Sequence, residues 1–210
     1  MTMIGAIMMS RKVLQSGLGV PLVSVLMASP SLAHEQTGVG GGLASGLLHP
    51  LTGLDHLVAM VAVGIWGAQL GGVAIWVLPV VFPLVMALGA VAGILKIALP
   101  VPELVIALSA LVLGLAVALR VRVPFAVAAG IVAIFAIFHG HAHGAELPTA
   151  ANPLAYGCGF VVATGLLHAC GITIGALARW PGGERIIQGV GAAIAALGGY
   201  FLASSLGVAA

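Results

Sequence analysis

Charge is what this sequence has least of. Only 6% of its 210 residues are Asp, Glu, Lys or Arg, against 61% apolar residues and a mean hydropathy of +1.25. Water-facing helices need a polar side, so such a chain cannot build a soluble fold, whereas lipid asks for apolar residues all round. Basic residues are few and scattered, with no patch that would meet phosphate, which excludes a nucleic-acid partner. No GxxxxGK[ST] run is present, so direct ATP hydrolysis by this chain is not expected. HExxH is also absent, which argues against a zinc hydrolase and for a protein that is not an enzyme and holds no permanent cofactor. Cysteine is scarce too. Cys158 and Cys170 are twelve residues apart in one hydrophobic block, about 18 Å along a helix, too far to bridge each other. Both read as small buried hydrophobes.

What the chain does have is apolar length and glycine. The 31 Gly, with many Ala, allow close approach between the backbones of packed membrane helices. Residues 1–33 read as a signal peptide: Arg11 and Lys12 form a basic start, Val13 to Ala28 an apolar core, and Ser31-Leu32-Ala33 a small-x-small cleavage site. A retained N-terminal transmembrane helix is the competing reading, weakened by Gly17, Gly19 and Pro21. Cleavage leaves residues 34–210 as one transmembrane domain. Its charges balance: Lys96, Arg120, Arg122, Arg179 and Arg185 against Glu35, Asp55, Glu103, Glu146 and Glu184.

A spanning helix takes about 20 apolar residues, and the domain divides into six such blocks, 44–68, 72–96, 102–120, 123–142, 152–178 and 186–207. The fold class is therefore an all-α polytopic bundle of six transmembrane helices. Turn signals separate the blocks: Gly71-Gly72, Pro100 and Pro102, Arg120-Val121-Arg122 before Pro124, Pro148 to Pro153, and Pro181-Gly182-Gly183. A cleaved leader puts His34 on the outer face. The connections near 69–71, 120–123 and 179–185 are then cytoplasmic and carry four of the five basic residues, as the positive-inside rule requires. Lys96 is the exception and would snorkel to the outer interface. Both termini of the mature chain are expected to be periplasmic, in a bacterial inner membrane.

Against this background the polar residues inside the blocks stand out, since a central Asp costs about 2.5–3.5 kcal/mol to insert and usually marks a pathway or a site. The first group is His49-Pro-Leu-Thr-Gly-Leu-Asp55-His56. On a continuous helix His49 and His56 fall within about 20° of one face and about 10 Å apart, with Thr52 between them and Met60 one turn further on. Asp55 points elsewhere unless Pro50 or Gly53 unwinds the segment. Imidazole nitrogen beside carboxylate suits a divalent first-row metal, with Asp55 either a ligand or the group that orients a histidine. The second group is Phe138-His139-Gly-His141-Ala-His143-Gly-Ala-Glu146. His139, His143 and Glu146 share one helical face and His141 lies opposite. A solvated loop is the alternative reading. The third feature is His168, in mid-block with Thr164 one turn before it, either a helix-to-helix hydrogen bond or a relay on the way out. His34, next to a new N-terminus, adds a further candidate ligand.

His49-x5-Asp55-His56 together with Phe138-His-Gly-x-Ala-His-Gly-x-Glu146 resembles the HupE/UreJ family of nickel permeases, and the leader and six-span hydropathy extend the resemblance over essentially the whole chain. It implies transport of Ni²⁺, or Co²⁺, in the service of hydrogenase or urease maturation, with His49, Asp55, His56, His139, His143 and Glu146 as the functional residues. His141 receives no role from it. Neutral imidazoles bind the metal and protonation releases it, so affinity is expected to fall below about pH 6. A membrane metal chaperone without translocation and an intramembrane proton relay are the rival functions. The expected partners are the metal ion and the bilayer. Oligomeric state and the choice between nickel and cobalt are not encoded in any legible pattern.

Overall fold

The computed structural model describes residues 38–147 and 152–208, so the expected leader and His34 lie outside the described residues. Seven α-helices follow in order: α1 Gly38–Thr52, α2 Leu54–Leu70, α3 Ala74–Ile94, α4 Pro102–Ala118, α5 Phe125–Ala145, α6 Pro153–Ala176 and α7 Gly183–Ser205, with a 3₁₀ turn, Leu177–Arg179, after α6. There is no strand among the described residues. Four helices, α3, α5, α6 and α7, are each long and apolar enough to cross a bilayer, and α1 with α2 passes as a bent pair. At 17 residues α4 is a shorter apolar helix. The outward faces carry Trp76, Leu84, Leu88 and Leu166, all well exposed, which is how lipid-facing surfaces are built. The protein is an all-helical, multi-pass membrane protein.

Five of the six expected blocks appear as single helices with ends shifted by a few residues. The first block does not. Its helix breaks at Gly53, and α1 and α2 meet at 81°. Two local causes combine. Pro50, inside the last turn of α1, has no N–H to bond back. Gly53 adopts an extended conformation (φ −84°, ψ 102°) as the residue before α2. Its carbonyl then accepts the first bond of α2, from the Leu57 N–H at 2.9 Å.

Glycine decides how the helices pair. Gly89 and Gly93 of α3 lie on the α5 backbone at Ile137 and His141, while Gly140 and Gly144 of α5 lie on α3 at Met86 and Ala90. Contacts advance together along both helices, so α3 and α5 run parallel, two small-xxx-small faces pressed together. The α2–α6 contact is also parallel: Gly171 of α6 meets Val61, and Gly175 meets Ala68. In the α4–α7 pair the order reverses, Gly198 on Leu111 and Gly191 on Ala118, so this pair is antiparallel.

One end of the bundle is tied by polar groups. Arg120 donates twice to Glu184, at 2.7 and 2.8 Å, across the α4–α5 and α6–α7 turns. Trp66 Nε1 donates to the Val121 carbonyl and Gln69 Nε2 to that of Val117. The histidines gather toward the opposite end. Cys158 and Cys170 are free and exposed, contrary to the expectation that they fill the interior. The small residues taking the buried side of α6 are glycines, among them Gly159, Gly171 and Gly175.

Candidate metal centre

The break at Gly53 reshapes the first motif. His49 ends α1 and His56 lies in the first turn of α2, so the two do not share a helical face as a continuous helix would require. They converge instead on one ring of α5. His49 lies 4.7 Å and His56 4.4 Å from His143, centroid to centroid, and His56 lies 5.0 Å from His139. His49, His143, His56 and His139 thus form a continuous row of imidazoles supplied by three helices.

The α5 residues follow helical spacing as read from the sequence. His139 and His143 are 0% and 2% exposed. They face the cluster because Gly140 and Gly144, the intervening small residues of the same motif, seat α5 on α3. The motif thus encodes a histidine face and, one position on, a packing face. Glu146, just past the end of α5, approaches His49, with Oε2 3.5 Å from Nε2. Ligand atoms of His49, His143 and Glu146 all fall within 4.8 Å of one another. Small side-chain rotations would close that spacing around one ion at ordinary metal–nitrogen distances of about 2.1 Å.

Hydrogen bonding fixes which nitrogen is available. His56 Nδ1 donates to Asp55 Oδ1 at 2.7 Å, and the same oxygen accepts from the His56 backbone N–H at 2.9 Å. Asp55 therefore holds the ring from the first turn of α2, where a helix N-terminus favours a carboxylate. His139 Nδ1 donates to the Phe135 carbonyl at 2.9 Å. In both rings Nε2 is left as a lone pair, and it is buried without a partner, as are both nitrogens of His143. A carboxylate or carbonyl on one ring nitrogen with the other free is the usual preparation of a metal-binding histidine.

The remaining candidates separate cleanly. Thr52 donates its hydroxyl to the His49 carbonyl at 2.9 Å, closing the end of α1 rather than facing the cluster. His141 bonds the Ile97 carbonyl through Nε2 at 2.7 Å, tying α5 to the irregular segment after α3 and turning its ring away from the row. Met60 is fully buried in the apolar core, and its carbonyl receives the Nδ1 hydrogen bond of His168 at 2.8 Å. His168 is 0% exposed and separated from the row by Phe82, whose ring lies 5.4 Å from His139 and 5.3 Å from His168.

Further residues at the site are not among those expected from the sequence. Glu103, at the start of α4, lines a cavity of about 290 Å³ with Asp55, His56 and Glu146, giving the centre an acidic mouth. Phe160 packs 4.2 Å from His143, and Tyr156 lies 6.0 Å from His49. A signal was available: Tyr156, Phe160, Thr164 and His168 recur every four residues and all are buried on one face of α6. Phe82 had none, because an aromatic in an apolar helix looks like any other core residue.

Residues 22–201 match the family described as HupE / UreJ protein. The chain belongs to the HupE / UreJ family. Among its relatives is Protein HupE of Rhizobium leguminosarum bv. viciae, 48% identical over 177 residues, which span 84% of this chain and 93% of that one. No solved structure matches. The two polar motifs that carry the resemblance are the segments that meet in the imidazole row, α5 supplying one side and the α1–α2 break the other.

Proposed function

We propose that this HupE / UreJ protein carries a divalent transition-metal ion, Ni²⁺ or Co²⁺, across the bacterial inner membrane for hydrogenase or urease maturation. One observation carries the reading. Four buried ring nitrogens, on His56, His139 and His143, have no hydrogen-bond partner and converge with His49 and two carboxylates at one end of an apolar bundle. Imidazole with few carboxylates suits nickel or cobalt over magnesium or calcium, which prefer all-oxygen sites.

The ion is captured between His49, His143 and Glu146, with Asp55, His56 and His139 as the continuing path inward and Glu103 at the mouth attracting cations. The six helices α2 to α7 form the crossings, with α1 as the bent outer extension of the first. Cleavage after Ala33 then leaves both ends of the mature chain periplasmic, and the Arg120–Glu184 end of the bundle cytoplasmic. With no nucleotide-binding motif, the driving force is the ion's own gradient, the membrane potential or protons.

Uptake of radioactive nickel or cobalt into proteoliposomes tests this directly. His56→Ala and His139→Ala should each abolish accumulation while the protein stays in the membrane. Metal binding without accumulation would favour a chaperone, and proton flux without metal would favour a relay.

A further inference from the structure

Beyond Phe82 from the imidazole row lies His168 of α6, and it and Thr164, one turn before it, carry buried polar atoms that the fold leaves unused. His168 is 0% exposed and donates Nδ1–H to the Met60 carbonyl, which fixes the tautomer and leaves Nε2 a lone pair; that atom has no partner. One turn earlier, Thr164 is also 0% exposed and its hydroxyl is unpartnered. Neither is an ordinary way to bury a polar side chain in a membrane helix. A helical Thr or Ser normally bonds the carbonyl four residues back, as Thr173 does with Ala169 at 2.8 Å and Ser205 with Phe201 at 2.9 Å. Leaving a buried acceptor dry costs about 1–3 kcal/mol. The two atoms share the face of α6 that continues upward through Phe160 and Tyr156 to the outer centre.

We infer that His168 and Thr164 form a second, inner binding station for the transported ion, with His168 Nε2 as its nitrogen ligand and the Thr164 hydroxyl as an oxygen ligand. The inference rests on the transport reading for its biological meaning. The chemistry of the station differs from that of the outer centre. It has one imidazole and one neutral oxygen, and the hydrogen bond holding its histidine comes from a carbonyl instead of a carboxylate. Without an anionic ligand it binds a divalent transition metal more weakly than the outer centre does, with water completing the coordination. A transport path needs such a place, because an ion held as tightly along its whole route as at its entrance would not leave. Fixing Nδ1 on Met60 of α2 also joins the station to the helix whose first turn holds Asp55 and His56.

The test uses full-length protein with Cys158 and Cys170 replaced by serine, in which His168→Cys is the only source of thiolate. Added Co²⁺ should give a near-ultraviolet sulfur-to-cobalt charge-transfer absorption in His168→Cys and none in its parent. In proteoliposomes, His168→Ala should slow Co²⁺ uptake about tenfold or more, at least the loss that follows removal of a group merely supporting a metal ligand, while the dissociation constant of the outer centre stays within about twofold. Thr164→Val provides the gentle variant. It removes a hydroxyl that has no partner, so thermal stability should hold or rise, yet uptake should fall several-fold; a purely structural threonine would not produce that split. Should His168 variants fail to fold, as judged by loss of outer-centre binding, Thr164→Val decides. No absorption in a folded His168→Cys, or uptake unchanged in both His168→Ala and Thr164→Val, would overturn the station. If the parent protein accumulates no metal at all, the transport reading fails, and the cobalt absorption alone decides the station.

Discussion

The two polar motifs reach the same site by opposite means. The second, on α5, is carried by an unbroken helix: His139 and His143 keep the one-turn spacing of the sequence, and Gly140 and Gly144 lock the helix onto α3. The first is carried by a helix that breaks between its two histidines, so that His49 and His56 approach His143 from two directions. A regular helix offers side chains only along its own face, and one helix cannot surround an ion. A bend of 81° lets a single stretch of sequence supply two walls of the centre. The α5 wall is rigid through backbone packing. The α1–α2 wall depends on one extended glycine and one carboxylate.

That contrast can be broken most severely from the α5 side. In Gly140→Leu the new side chain would start against the Met86 backbone, where neither helix can yield, and overpacking of this kind costs about 3 kcal/mol. The expected outcome is loss of folded protein from the membrane fraction, read by detergent-solubilised thermal unfolding. Next in size is Asp55→Asn, which keeps the shape but removes the carboxylate that orients His56. Metal affinity should fall about 10–100-fold, measured by calorimetric titration, with little change in unfolding temperature. A fall confined to stability would remove Asp55 from the site.

Gly53→Ala sharpens the comparison from the α1–α2 side. Alanine favours helix over glycine by about 1 kcal/mol and its Cβ would sit 3.2 Å from His56 Nδ1 and 3.3 Å from Asp55 Oδ1. The bend should become less favourable and affinity should drop about fivefold, in line with that energy; unchanged affinity would show that Pro50 alone sets the break. The smallest effect is expected for His141→Gln. His141 is bonded to Ile97 and turned from the row, and Gln keeps an N–H donor for that carbonyl, so nickel uptake should stay within about twofold of the parent.

Much of this was open to reading in the linear sequence. Long apolar blocks with turn residues between them fix where helices begin and end, because lipid imposes one requirement on every residue of a span. The i, i+4 spacing of His139 and His143 is likewise a property of any α-helix, whatever surrounds it. The Gly53 break was legible only as an option, since glycine and proline permit a bend without specifying its angle. Phe82, Glu103 and the pairing of Tyr156 with His49 were not legible, as each acquires its role from a neighbour dozens of residues away.

By itself, then, the sequence determined the solvent, the helices, the residue types able to hold a borderline divalent ion, and the family. Only the tertiary structure decided which imidazoles meet, which nitrogen each presents, and that His141 and Thr52 stand outside the cluster. The physical reason is one of range. Hydrophobic transfer and helical periodicity act residue by residue along the chain, whereas the imidazole row is a relation between side chains on α1, α2 and α5. That relation is set by where glycine lets two backbones touch and where one helix is allowed to bend.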